Sequence, residues 1–353
     1  MRIGIPTEIK TLEGRVALVP DAVAELVHHG HEVLIQSGAG LLSGYLDSEY
    51  ANVGAKLLSN ATAVYENAEL IVKVKEPQSA ELELLQKRHI LFSYLHLAAE
   101  VVVMQKLLDI GLTAVAFETV QKSNGQLPLL APMSDIAGRV AIQVGTHLLH
   151  KPQGGKGLLL GGLPATERGQ VVILGAGVAG GNAALFAAGI GAQVVVFDRN
   201  REKLEKMRAL GNNVSALYPY KKALQQAVAA ADLLVGAILV TGQRTPHIVD
   251  SQMVSSMQPG SVIIDISVDQ GGCIETTKPT TYADPTFLWQ DIVHFGVTNM
   301  PGAVPRSASM ALSASLMPYV LRLATPDWRD DPELAAGINV ENGNIIYPAL
   351  QNL

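Results

Sequence analysis

Residues 171–200 read VVILGAGVAGGNAALFAAGIGAQVVVFDRN. Four apolar residues, Val171 to Leu174, run into Gly175-x-Gly177-x-x-Gly180, and a small-residue segment of helical character follows. A second apolar run, Val194 to Phe197, ends at Asp198. This is the strand, glycine turn, helix and acid-tipped strand of a dinucleotide-binding unit. Gly175 permits the tight turn, Gly177 lets the backbone approach a pyrophosphate, and Gly180 lets helix and strand pack closely. The helix N-terminus that follows offers its free N–H groups to the phosphates. Asp198 lies 18 residues after Gly180, near the spacing of about 20 expected for an acid that binds the adenosine ribose. A carboxylate there repels a 2′-phosphate and favours NAD over NADP, although the adjacent Arg199 is of the kind that accommodates one.

The length of 353 residues suggests about two domains. A net charge of −6 without any dense Lys/Arg block argues against nucleic acid as a partner. The single cysteine, Cys273, forms no intrachain disulfide and reads as a packed thiol in a reducing compartment. The opening MRIGIPTEIK lacks the apolar core of a signal peptide, and no apolar run reaches the roughly 18 residues of a membrane span. A cytoplasmic protein without a membrane partner is expected. Hydrophobic residues make up 48% and charged residues 16%, a balance that suggests buried subunit interfaces in a homo-oligomer.

Outward from the fingerprint, the first third alternates strand-like and helix-like segments. Strands are predicted at 2–6, 32–36, 70–75, 90–94 and 113–117, with helices at 21–29, 47–57, 79–86 and 100–109. Further strands are predicted at 233–238, 262–266 and 292–298. A helix over 134–149 would bridge two domains, and 152–162 reads as an exposed turn. A long helix over 307–323, kinked at Pro318, would return to the first domain. The fold class is therefore α/β, with two doubly wound Rossmann-like domains and a cleft at the carboxyl ends of both sheets. The first domain is discontinuous, 1–128 plus 306–353, and the NAD-binding domain spans 129–305. The linking segments near 127–134 and 299–306 are the candidate hinges.

Strand ends select the candidates for chemistry. Lys75 ends a strand in which alternation places Lys73 and Lys75 on one face. His96 and Asp269 lie just past strands, and Arg15 lies in the loop after the first. Taken singly, these read as a strand end, a core histidine, a turn cap and a solvated charge. No HExxH or CxxC pattern suggests a metal.

The blocks that carry these residues resemble the alanine dehydrogenases, which share an ancestor with the NAD-binding subunit of proton-translocating transhydrogenase. The blocks are IPTEIKTLEGRVALVP, VKVKEP, LFSYLHLAAE, LPLLAPMSDIAGR, GAGVAG, DISVDQGGCIETTKPTTY and VTNMPGAVPRSAS, in order over essentially the whole chain. The resemblance implies reversible oxidative deamination of L-alanine to pyruvate and ammonia with NAD, in a homohexamer. It implies that Arg15 and Lys75 bind the substrate's carboxylate and keto group and that His96 and Asp269 are acid/base groups. It also implies NAD contacts from Ser134, Val178, Ala179, Asp198, Lys203, Ile238, Leu239, Ile266, Ser267, Val268, Asp269, Val297, Thr298, Asn299 and Met300. Two departures stand out. Leu217-Tyr218-Pro219 replaces a serine near the adenosine pocket, and Lys278, counted among the cofactor contacts, stands where some relatives have arginine.

These residue types suit that chemistry. A small keto acid offers little beyond its carboxylate, which Arg15 grips with two prongs and Lys75 with a point charge. A group titrating near neutrality serves both directions, as a histidine does. Asp269 either stabilises a cationic iminium or acts as a base for water. A free-standing transhydrogenase-like module, or a dehydrogenase of another amino acid, shares the fingerprint. The former has no need of His96 together with Asp269.

Overall fold

A computed structural model describes residues 1–238 and 245–351. The chain forms two compact units, Met1–Met133 with Val304–Leu353, and Ser134–Ala303. Each is an α/β unit built on a mainly parallel sheet.

In the first unit β1 (Arg2–Ile5), β2 (Glu32–Gln36), β3 (Lys56–Leu58), β4 (Leu70–Val72), β5 (Ile90–Ser93) and β6 (Thr113–Ala116) pair in parallel in the order β3-β2-β1-β4-β5-β6. Two short antiparallel strands, Ile338–Glu341 and Asn344–Ile345, extend the β6 edge. The central strands are apolar on both faces because helices cover both. Ile3, Ile5, Leu70, Ile71, Val72, Leu91 and Phe92 are all fully buried. The strand order reverses between β1 and β4, the switch point at which a doubly wound sheet opens a ligand crevice.

Two local expectations need correction. The helix foreseen over 47–57 is a helix Asp47–Asn52 followed by β3. Gly54, at φ +94°, ends the helix in a conformation that favours glycine. The strand foreseen to Lys75 stops at Val72, because the N–H groups of Val74 and Lys75 turn to the Glu8 carboxylate, at 2.5 and 3.3 Å. The long helix runs from Pro305 to Leu323 and contains Pro318.

In the second unit β7 (Gln170–Leu174), β8 (Gln193–Phe197), β9 (Val214–Leu217), β10 (Leu233–Gly236), β11 (Val262–Asp265) and β13 (Ile292–Phe295) run parallel in the order β9-β8-β7-β10-β11-β13. β12 (Thr286–Trp289) pairs antiparallel on the outer edge. The switch point falls between β7 and β10, beside the glycine turn. No helix among the described residues is long and apolar enough to cross a membrane.

Candidate active site

The first unit gathers charge at the carboxyl ends of β1, β4, β5 and β6. Arg15, 3% exposed, donates through Nε and Nη2 to the two oxygens of Glu13, at 2.7 and 2.5 Å. Its Nη1 lies 3.1 Å from Met133 Sδ. Burial works against the guanidinium charge, but Glu13 outweighs it and raises the pKa. The ammonium of Lys75 lies 3.4 Å from Glu76 Oε2. Burial, with help from Arg15 and Lys10, pushes the Lys75 pKa down against Glu76 and Glu13. Glu76 also receives the Lys10 ammonium. Burial alone would raise its carboxyl, but Lys75 and Lys10 hold it at about 2. Arg15, Lys10, Glu13 and Glu76 thus all act on the Lys75 ammonium.

Beneath this cluster lies a second, fully buried one. Lys73, 1% exposed, pairs with Glu8 at 3.0 Å and Glu81 at 3.3 Å. It also donates to the Lys75 carbonyl at 2.9 Å, while Glu8 receives the Lys75 N–H. The peptide that presents Lys75 is therefore held from both sides by a buried ion pair. Burial raises the Glu8 carboxyl, with Lys73 opposing it.

His96 follows β5 with φ +48°, a left-handed conformation rare for a residue with a side chain. Its N–H donates to Glu118 Oε1 at 2.6 Å. Its imidazole stacks on the Tyr94 ring, 5.9 Å between centroids and 9° between planes. The Tyr94 hydroxyl donates to the Leu129 carbonyl at 2.6 Å. Burial pushes the His96 pKa down, Lys75 and Lys10 add to this, and Glu118 and Glu76 oppose it.

In the second unit the positions expected to touch the cofactor fall on successive strand ends: Gly175 after β7, Asp198 after β8, Ile238 after β10, Ile266–Asp269 after β11 and Val297–Met300 after β13. Gly175 has φ +98°, and a Cβ on Gly180 would meet the Gly175 carbonyl oxygen at 1.8 Å. A Cβ on Gly177 would meet nothing within 4 Å. The helix Val178–Gly189 thus opens behind a sterically free N-terminus, which fits a pyrophosphate. Asp198 accepts the N–H of Ala176 at 2.7 Å and of Asn200 at 2.8 Å, which ties the β8 tip to the glycine turn. Lys203 is exposed in the first turn of the next helix, and Ser134 is half-buried in the helix Ala131–Leu148. The Lys278 ammonium stands over the Phe287 ring of β12, toward the opposite edge of the sheet from Asp198. Leu239 lies outside the described residues.

Asp269 is exposed in the short turn Val268–Gln270. The loop that carries it is anchored by the buried Asp265, whose carboxylate accepts the N–H groups of Ser267 (3.0 Å), Cys273 (2.8 Å) and Ile274 (3.2 Å). Burial raises the Asp265 carboxyl against these three donors. Cys273 is buried, and Asp265 adds to the burial that raises its pKa, so the thiol is not poised as a nucleophile. Glu13, Glu76, Glu118 and Asp265 are not among the residues that the sequence marks for chemistry. Glu13 and Glu76 adjoin flagged cations in the chain. Asp265 ends β11 and Glu118 lies two residues past β6, and a place at a strand end is the signal that marks both.

Comparison with known proteins gives the geometry a context. A sequence model described as "Alanine dehydrogenase/PNT, N-terminal domain" matches residues 4–137, and its C-terminal counterpart matches 141–348. The alanine dehydrogenase of Mycobacterium tuberculosis (strain H37Rv) is 47% identical over 98% of this chain and 95% of its own. That of Halomonas elongata is 45% identical over 99% and 96%. A solved L-alanine dehydrogenase superposes with a TM-score of 0.96 at 48% identity, covering 100% of this chain and 98% of its own. A transhydrogenase from Sinorhizobium meliloti shares the fold at TM-score 0.85 and 24% identity, over 99% and 100%.

Proposed function

As the chain belongs to the alanine dehydrogenase/transhydrogenase family, we infer that it catalyses the reversible NAD-dependent oxidative deamination of L-alanine to pyruvate and ammonia. The observation that carries this is the near full-length likeness to alanine dehydrogenases. The division of roles follows the family resemblance, and it is supported by Arg15, Lys75 and His96 lying past the carboxyl ends of β1, β4 and β5.

NAD, when bound, supplies the hydride acceptor at C4 of its nicotinamide. The chain's residues do the rest. Arg15 and Lys75 bind the substrate carboxylate and keto oxygen. Glu13 holds the guanidinium in a fixed plane, so little order is lost on binding. His96 takes the proton from water as it adds to the imine, and returns it to the keto oxygen in the reverse direction. A pKa held below the ordinary histidine value keeps the imidazole available as a base near neutrality. Asp269 acts as an acid/base group or stabilises the cationic iminium, from a loop anchored by Asp265. The cofactor is held by the glycine turn, by Asp198 at the ribose, and by Ser134, Val178, Ala179, Lys203, Ile238, Leu239, Ile266–Asp269, Lys278 and Val297–Met300. The enzyme works in the cytoplasm as a homohexamer. Exposed apolar residues such as Leu42 and Val102 are compatible with association, and light scattering on the eluting protein reads the subunit number.

The test is NADH oxidation with pyruvate and ammonium, each omitted in turn. Turnover only with all three is expected. Turnover without ammonium, or none in any mixture, overturns the reading.

A further inference from the structure

We propose that Glu118 is a positioning residue for His96: its carboxylate holds the left-handed backbone at residue 96 and stands as the uncommitted anion beside that imidazole. The proposal rests on the reading of His96 as the acid/base group.

The backbone comes first. β5 and β6 run side by side, and the Phe117 N–H donates to the Ser93 carbonyl at 2.9 Å just past their ends. That register brings Glu118 level with residues 95 and 96. Its Oε1 accepts the Leu95 N–H at 3.1 Å and the His96 N–H at 2.6 Å. On the other side, the His96 carbonyl accepts the N–H groups of Ala99 and Glu100, at 2.8 and 3.1 Å. A left-handed residue with a side chain persists where its surroundings over-determine it. Here both peptide groups of His96 are fixed, one by a side chain that only this position supplies. The stacked Tyr94 ring, tied through its hydroxyl to Leu129, then sets the plane of the imidazole.

The charge comes second. Lys75 and Lys10 disfavour the charged imidazole of His96, while Glu118 and Glu76 favour it. Glu76 is committed to Lys10 and Lys75. Glu118 has no ion pair among the described residues; its hydrogen-bond partners there are the two peptide N–H groups. Peptide donors alone need only an oxygen, which an amide provides equally well. A carboxylate additionally stabilises the imidazolium that forms when His96 takes its proton. The same side chain thus sets where the imidazole sits and how readily it is protonated.

The variants Glu118→Gln and Glu118→Ala separate the two effects. Gln keeps an acceptor oxygen for the His96 N–H and removes the charge; Ala removes both. The readouts, on the assembled enzyme, are the melting temperature, the KM for NAD, and the pH profile of kcat/KM for alanine. His96→Ala identifies the acidic limb that belongs to His96. Removing the anion makes the imidazolium less stable, so the neutral base survives to lower pH. Glu118→Gln is therefore expected to move that limb to lower pH, with the KM for NAD unchanged. Glu118→Ala is expected to lower kcat by roughly 10²-fold as well, the cost of a misplaced catalytic group. The proposal is overturned if the limb stays in place in Glu118→Gln. It is equally overturned if Glu118→Ala loses activity only in proportion to folded protein. Should Glu118→Ala not fold, the limb in Glu118→Gln decides alone. A limb that survives His96→Ala overturns the reading of His96 and this proposal with it. A limb lost in His96→Ala but unmoved in Glu118→Gln sinks this proposal alone.

Discussion

Replacing Lys73 with methionine should unfold the first unit more readily, increasingly so as pH rises. The ammonium is 1% exposed and sits 3.0 Å from Glu8 and 3.3 Å from Glu81. At an effective dielectric of about 20, each contact is worth about 5 kcal/mol before desolvation. Desolvation of the ammonium takes back several kcal/mol per ion, so breaking such a pair typically costs about 3–5 kcal/mol. Methionine keeps the apolar stem, so the loss reports the charge and not a cavity. At about 2–4 °C per kcal/mol for a domain of this size, the melting temperature should fall by about 6–20 °C. The pH dependence has a definite sign. Without Lys73, the already raised Glu8 carboxyl moves further above its unfolded value. A carboxyl whose folded pKa is raised destabilises the fold at pH above the unfolded pKa and not below it. The deficit should therefore be larger at pH 8 than near pH 4. Scanning calorimetry of both proteins across that range makes the comparison. Adding Glu8→Gln to the variant should recover part of the loss, because it removes an unpaired buried charge. A Lys73→Met protein melting with the parent at pH 8 would refute the reasoning.

Four further outcomes are expected. His96→Ala should lower kcat by about 10²–10⁴-fold while the NADH dissociation constant, read by fluorescence titration, stays near the parent value. Asp198→Gly should narrow the gap between NADH and NADPH in kcat/KM. It should also weaken NADH itself by about 10-fold or more, since the Ala176 N–H loses a charged acceptor. Gly180→Ala should abolish NADH binding in calorimetry, because its Cβ would meet the Gly175 carbonyl oxygen at 1.8 Å. Glu76, held at about 2, contributes stability that is present above its unfolded pKa and lost as pH falls through about 2. The Glu76→Gln protein should melt below the parent at pH 7, by about 3 kcal/mol, and approach it in acid.

Much of the fold is legible in the sequence because parallel strands buried on both faces are short apolar runs that end at glycines or charges. The runs at 32–36, 90–94, 113–117 and 262–266 lie within a residue of the observed strands. β3, with Lys56 exposed and Leu58 half-buried, lacks that contrast and reads as a continuation of the preceding helix. The helix Ala61–Asn67, capped by Asn60, is not legible because its seven residues offer too little periodicity. Strand ends also point to Lys75, His96, Asp198 and Asp269, because a doubly wound sheet puts its ligands there. The layer behind them leaves no local mark in the sequence. Glu8 joins Lys73 across 65 positions and Glu118 reaches His96 across 22. Such pairings follow from strand order and register, which no local pattern of residues contains.

The most direct measurement is the fate of one deuterium. The chain is incubated with pyruvate, ammonium and NADH deuterated at the transferring position of nicotinamide C4, and the product is read by proton NMR and mass spectrometry. L-Alanine carrying deuterium on Cα is the outcome this account requires. Deuterated lactate, or NADH consumed with no labelled alanine, would contradict it.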